Sequence, residues 1–116
     1  MRFYQHVYFI KPVGMAGPVK IGCTIDVNKR LSEMQKSSPL PLELAAFVPG
    51  GLGLERKLHA YFQRQHSHGE WFHWSFELTA LIQKIRDGIQ IGDAIDLSDI
   101  KILRSGALGA ASREAA

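Results

Sequence analysis

An α+β fold is predicted: a small three-stranded sheet flanked by about three helices, arranged as an α/β sandwich in a single domain. Two short apolar runs, one around Val7-Tyr8-Phe9-Ile10 and one from Val19 to Thr24, flank the Pro- and Gly-rich stretch Lys11 to Pro18, which reads as a hairpin with a long loop. A third apolar run, Leu42 to Val48, lies between two stretches whose apolar residues recur at helical spacing. The resulting order is two strands, helix, strand, helix, loop, helix.

The first strand occupies the segment Met1 to Lys11 and the second Val19 to Thr24. Because side chains alternate between the faces of a strand, Tyr8 shares a face with His6 and Ile10, and Lys20 shares one with Gly22 and Thr24. Pairing of the two strands brings Tyr8 and Lys20 to one side of the sheet, beside a glycine. Cys23 falls on the other face with Val19 and Ile21, as a core thiol.

A helix starts near Asp26. Thr24 or Asp26 can cap it, since a short side-chain oxygen accepts from an orphan amide of the first turn. Val27, Leu31 and Met34 form its apolar stripe, with Arg30 on the flank of that stripe. The helix should end before Ser37-Ser38-Pro39, because the residue preceding proline resists the helical conformation. The third strand, Leu42 to Val48, is apolar enough to be buried on both faces. A second helix covers Leu54 to Gln65, with Leu54, Leu58, Tyr61 and Phe62 as its stripe and Glu55 and His59 four residues apart beside it. His66 to Trp74 reads as a loop holding both tryptophans. Phe76 to Asp87 reads as a third helix stopped by Gly88. The segment 91–104 is a short C-terminal extension packing on the domain, of strand or helix type, and 105–116 is small, polar and expected to be disordered.

A lone cysteine rules out an internal disulfide and suits a reducing compartment. No apolar run is long enough to span a bilayer and no signal-peptide layout opens the chain, so no membrane partner is expected and the cytoplasm is the default location. The net charge of +3 is unevenly spread. Residues 1–86 hold eleven Lys/Arg against six Asp/Glu, whereas residues 87–116 hold three against five. The basic part is the part with the hairpin, which mildly favours an anionic partner.

Taken singly, the chemically capable residues have ordinary readings. Tyr8 can be a half-buried strand residue, Lys20 a solvated one, and Arg30 a side chain snorkelling along its helix. Glu55 and His59 can be a surface pair, and Trp71 and Phe72 a lid on the core. Together they suit phosphodiester cleavage, which needs a nucleophilic water, a proton acceptor, and positive charge where negative charge develops. Arg30 offers a forked, permanent donor set, and Lys20 a point charge or a base. Glu55 can hold one divalent ion, and Tyr8 can position or deprotonate the water. His66, His68 and His73 have no strong zinc spacing and read as loop histidines.

These residues, in this order, resemble the GIY-YIG endonuclease superfamily, in the branch common in phages and bacteria whose second motif reads Lys-Ile-Gly. His6-Val7-Tyr8 stands for the first motif and Lys20-Ile21-Gly22 for the second, with eleven residues between Tyr8 and Lys20. Asp26 to Leu31 matches the helix with the family arginine, Glu55 to Phe62 the helix with the metal-binding glutamate, and Gly69-Glu70-Trp71-Phe72 the closing motif. The likeness spans roughly residues 4–86, so residues 1–90 form the nuclease-like domain.

The resemblance implies a three-stranded antiparallel sheet and hydrolysis of one DNA strand per site with one Mg²⁺ or Mn²⁺ ion. It assigns catalysis to Tyr8, Lys20, Arg30, Glu55 and His59, the metal to Glu55, DNA contacts to Lys20, Lys29 and Arg30, and motif-shaping roles to Gly22, Gly69, Glu70 and Trp71. The chain departs from the family where His6 replaces a glycine, Val7 an isoleucine and Lys20 the more usual tyrosine, and where Glu70 occupies the region of a late asparagine. A DNA-binding module on the same scaffold, with weak or no cleavage, is the alternative. With only a short extension after the core, specificity would be structure-selective, weak, or supplied by a partner chain.

Overall fold

The computed structural model describes residues 4–102 and 108–109. Its elements in order are β1 (His6–Pro12), β2 (Val19–Thr24), α1 (Val27–Lys36), β3 (Leu42–Pro49), α2 (Leu52–Tyr61), a 3₁₀ turn (Gln63–Gln65), β4 (His66–His68), β5 (Trp71–Phe72), α3 (Phe76–Arg86), α4 (Ile91–Ala94), β6 (Lys101–Ile102) and β7 (Leu108–Gly109).

The sheet corrects the expectation of three strands. It has five, in the order β3-β1-β2-β5-β4, and every adjacent pair is antiparallel. The two additional strands come from the segment read as a loop. β4 and β5 are three and two residues long, too short for a period to show in the sequence, and all of His66, Ser67 and His68 are exposed. They are joined by the two-residue loop Gly69-Glu70, with Gly69 at φ +55° in the left-handed region that a side chain disfavours. The glycine turns the chain there, and that turn aims Glu70. A separate two-stranded pairing joins β6 to β7. Apart from Leu108–Gly109, the segment 105–116 lies outside the described residues.

β1 and β2 pair in the register Tyr8↔Gly22 and Ile10↔Lys20. Tyr8, Ile10, Lys20 and Gly22 therefore share one face of the sheet, while Val7, Phe9, Val19 and Ile21 share the other. The second face carries the main core. Val7, Phe9, Val19, Ile21, Ala46 and Val48 pack there against Leu58 and Phe62 of the α2 region and Leu78, Leu81 and Ile82 of α3. The first face is met by α1, which contacts β1 and β3.

Local sequence explains the helix bounds. Asp26 caps α1, its Oδ1 accepting from the Lys29 amide at 3.0 Å. None of the α1 side chains is fully buried; Val27, Leu31 and Met34 are half-buried. Gln35 ties the end of α1 to the next strand, accepting from the Leu42 amide at 2.7 Å and donating to the Leu40 carbonyl at 3.0 Å. α3 is capped by Ser75, whose Oγ accepts from the Leu78 amide, and closes on Gly88 at φ +91°. There the Ile89 amide donates to the Lys84 carbonyl and the Gly88 amide to that of Ile85, a Schellman closure.

β3 differs from its expected burial on both faces. It lies at one end of the sheet, and on the Tyr8 side Phe47 is 46% exposed, its ring set edge-on to His6 at 5.5 Å. A register shift between Phe9 and Ile10 inserts Ala45 as a bulge. After α3, Ile91, Ala94, Ile95 and Leu97 pack against the main core and Ile100 is buried beside Ala60.

Candidate active site

Five side chains from five elements or turns gather around the Tyr8–Gly22 pair. Tyr8 is fully buried in β1, and its hydroxyl accepts a hydrogen bond from Arg30 Nη1 of α1 at 3.2 Å. The same guanidinium lies 5.9 Å from the Tyr8 ring centroid, in the range of a cation–π contact. Burial pushes the Tyr8 phenol above its ordinary pKa, against the opposing pull of the Arg30 hydrogen bond, with the charge of Glu70 adding to the rise. Tyr8 therefore stays protonated at neutral pH. Its oxygen accepts from arginine and its proton remains available to donate.

Gly22, directly across from Tyr8, leaves the space that the phenol fills. A Cβ at this position would fall 2.6 Å from Tyr8 Cζ and 2.9 Å from Glu70 Oε1. The tyrosine and the Glu70 carboxylate thus crowd together over a glycine that no larger residue can replace without displacement.

Glu55, in the first turn of α2, is 6% exposed. Its carboxyl is pushed up to about 7, first by burial, then by the neighbouring charge of Glu70 and a hydrogen bond shared with it. An amide hydrogen bond from Cys23 and the charge of Arg56 oppose that rise. Glu70 Oε1 in turn lies 3.9 Å from Lys20 Nζ. Two acidic groups, one of them buried, therefore meet, with Lys20 paired to Glu70 and the charge of Arg56 acting on Glu55.

Two oxygen-bearing acids at hydrogen-bonding range fit a hard divalent cation of the Mg²⁺ class, which takes one or two carboxylates and keeps most of its waters. No group of three or more His, Cys, Asp or Glu side chains is placed to hold a metal among the described residues. Two carboxylates with no third protein ligand beside them among the described residues fit only an ion that keeps most of its waters, not an all-protein cage.

Lys20 is paired across the strands with Trp71 and lies 6.0 Å from its ring centroid. Lys29 and Arg30 line a cleft of about 320 Å³ at the start of α1, together with Thr24, Asp26 and Glu33. Arg30 Nε is also 3.6 Å from Glu33 Oε1, an exposed pairing along the helix.

His59 stands apart from this group. Its Nε2 is 2.8 Å from the Ile21 carbonyl, and as only a donor can satisfy a carbonyl, Nε2 carries the proton. Its ring is set edge-on to Phe72 at 4.9 Å, so it ties α2 to β2. Cys23 is half-buried, its thiol pKa raised by burial and by the charge of Glu55. His66 and His68 lie in β4, with His66 Nε2 2.8 Å from the Gly69 carbonyl.

The structure thus brings together Tyr8, Lys20, Gly22, Arg30 and Glu55, and places His59 at a packing contact. Glu70, which the motif reading treated as shaping the turn, lies at the centre of the charges. Its signal in the sequence was the Gly-Glu pair immediately before an aromatic strand, a hairpin-loop pattern that puts an acid beside the register partner of Lys20.

No helix among the described residues is long and apolar enough to cross a membrane. No curated protein and no solved structure matches the chain. A protein-family model described as the T5orf172 domain matches residues 5–90. That stretch is most of the chain and holds every side chain of the cluster, and the protein belongs to the T5orf172 domain family.

Proposed function

We propose that this protein is a metal-dependent endonuclease of the GIY-YIG type that hydrolyses a DNA phosphodiester bond and so nicks one strand. The observation that carries this reading is the Arg30–Tyr8 hydrogen bond of 3.2 Å, with the Glu70 carboxylate beside the same tyrosine over Gly22 and the buried Glu55 as the partner of Glu70. Membership in a phage-associated family found in some nuclease contexts supports a nuclease-like, DNA-related domain.

In this reading Arg30 and Lys20 hold the scissile phosphate and meet the negative charge that builds on its oxygens. Tyr8 keeps its proton and orients the attacking water through its hydroxyl, itself fixed by Arg30. Glu70, whose carboxylate sits beside Tyr8 over Gly22, would accept the proton that water loses. Glu55 and Glu70 would hold the Mg²⁺ or Mn²⁺ ion, which when bound supplies Lewis acidity and steadies the leaving oxygen. His59 acts through position, holding α2, and with it Glu55, against β2. Lys29, beside Arg30, contributes to DNA attraction.

A DNA-binding module that does not cut is the second reading, and one observation favours it. Lys20 is matched with Glu70 at 3.9 Å, an ion pair that engages one of the two cations this reading assigns to the phosphate. Incubation of supercoiled plasmid with the protein and Mg²⁺, Mn²⁺ or chelator separates the two. Nicking that requires metal is the expected result. No nicking, with a gel shift that weakens as salt rises, would establish the binding module instead.

A further inference from the structure

The sheet face that carries Tyr8 does not end at the charged cluster. Trp71 stands across from Lys20 on that face, and Pro12, two residues beyond Ile10 on β1, stands across from Leu42. Around them Pro12, Pro39, Leu40, Leu42, Trp71 and Trp74 line a mostly apolar groove of about 360 Å³. Tyr8 and Pro12 are four residues apart on one strand, so the groove opens roughly 13 Å from the tyrosine at the ordinary rise of a strand. Lys20 Nζ lies between the two, 6.0 Å from the Trp71 ring centroid.

We propose that this groove seats an unpaired nucleobase of the DNA strand whose phosphate is held by Lys20 and Arg30. The inference rests on the nuclease reading above and adds a subsite to it. Three features select a base over other apolar occupants. Trp71 offers a ring face, and every nucleobase has a π-face to stack on it. The charged neighbour of the groove is a lysine, complementary to the phosphate that travels with each base, and the distance from that lysine to the ring is within the reach of a single nucleotide. The platform is also preformed. Trp74 rests on the backbone of Gly17, where a Cβ would come within 3.2 Å of it, and its ring is set edge-on to Phe76 at 4.6 Å.

The lining is mostly apolar, with Ser38, Ser67, His68 and His73 as its polar points, so a base is gripped chiefly by stacking on the ring rather than through its hydrogen-bonding edge. Bases paired within a duplex are stacked and cannot enter it. The subsite therefore favours single-stranded, mismatched or otherwise opened DNA.

Both tryptophans of the chain line the groove, so intrinsic fluorescence reports on it directly. The test titrates the whole protein, in chelator and low salt, with a short oligothymidylate and with an abasic strand of the same length and backbone charge. Oligothymidylate should quench the fluorescence and bind roughly 5- to 150-fold more tightly than the abasic strand, the usual range for one stacked base. Trp71→Ala should narrow that gap, and Trp71→Phe, which keeps a ring, should preserve most of it. Equal affinity of the two strands with no quenching, while metal-dependent plasmid nicking persists, overturns the subsite and leaves the nuclease reading standing. Absence of binding by either strand together with absence of nicking overturns both. Quenching by a proline-rich peptide but not by oligothymidylate overturns the proposal in favour of a protein partner.

Discussion

The carboxyls of Glu55 and Glu70 share a hydrogen bond, although one comes from the first turn of a helix and the other from a two-residue hairpin loop. Two acids in this position repel once both are ionised, and burial of Glu55 sharpens the conflict. The protein tolerates it beside Tyr8, Arg30 and Lys20, where the proposed chemistry has use for a site that attracts a cation.

The first consequence concerns stability and pH. The Glu55 carboxyl is raised from 4.5 to about 7 in the folded state, so between those values the folded chain holds more protons than the unfolded one. Stability should then fall as pH rises through that window and level off above it, by on the order of 1–3 kcal/mol. Glu55→Gln removes the titration and should melt above wild type on the alkaline side of neutrality. Thermal melts across pH check this; a wild type whose stability rises through the same window contradicts it.

Divalent ions should reverse the penalty. Added Mg²⁺ or Mn²⁺ binds the folded state and should raise the wild-type melting temperature above neutral pH. The increase should be largely lost in Glu55→Gln and in Glu70→Gln. An equal rise in all three proteins would place the ion elsewhere.

Arg30 and Tyr8 act as a unit. Arg30→Lys keeps the charge but loses the fork that holds Tyr8 and phosphate together, and nicking should fall by roughly 10²–10³-fold. Tyr8→Phe keeps the ring and costs about 1 kcal/mol of stability through the lost hydrogen bond. Its nicking should fall far more than its melting temperature suggests. A Tyr8→Phe protein that nicks at the wild-type rate would remove the hydroxyl from the mechanism.

Gly22→Ala tests the crowding over the hairpin. The added methyl has no room against Tyr8 and Glu70, so the variant should lose on the order of 1–3 kcal/mol of stability and most of its activity. Wild-type melting behaviour would mean that the phenol moves aside without cost.

His59 separates position from catalysis. His59→Ala leaves the Ile21 carbonyl unsatisfied and should destabilise by about 1–3 kcal/mol. His59→Gln retains a donor and should recover much of that stability along with nicking. Loss of nicking in His59→Gln at full stability would instead make the imidazole part of the chemistry.

Much of this architecture was legible in the residues. Val19–Thr24 is a strand at its expected bounds because turn formers punctuate both sides of it. Alternation alone placed Tyr8 and Lys20 on one face, and the register bears that out. Asp26 and Gly88 act at the helix ends where their side chains, or the lack of one, predict. The missed part was β4 and β5, whose short, polar or aromatic stretches have no periodicity to detect and exist because β2 offers an edge to pair with. With that hairpin went the position of Glu70, since only the folded turn carries it to Lys20 and Glu55.

The most direct measurement of the central claim compares wild type with Glu55→Ala on supercoiled plasmid, in Mg²⁺, in Mn²⁺ and in chelator, after circular dichroism shows both proteins folded. The account expects the wild type to nick only with metal and the variant to leave the plasmid supercoiled under every condition. Nicking by Glu55→Ala at the wild-type rate, or by the wild type in chelator, would contradict it.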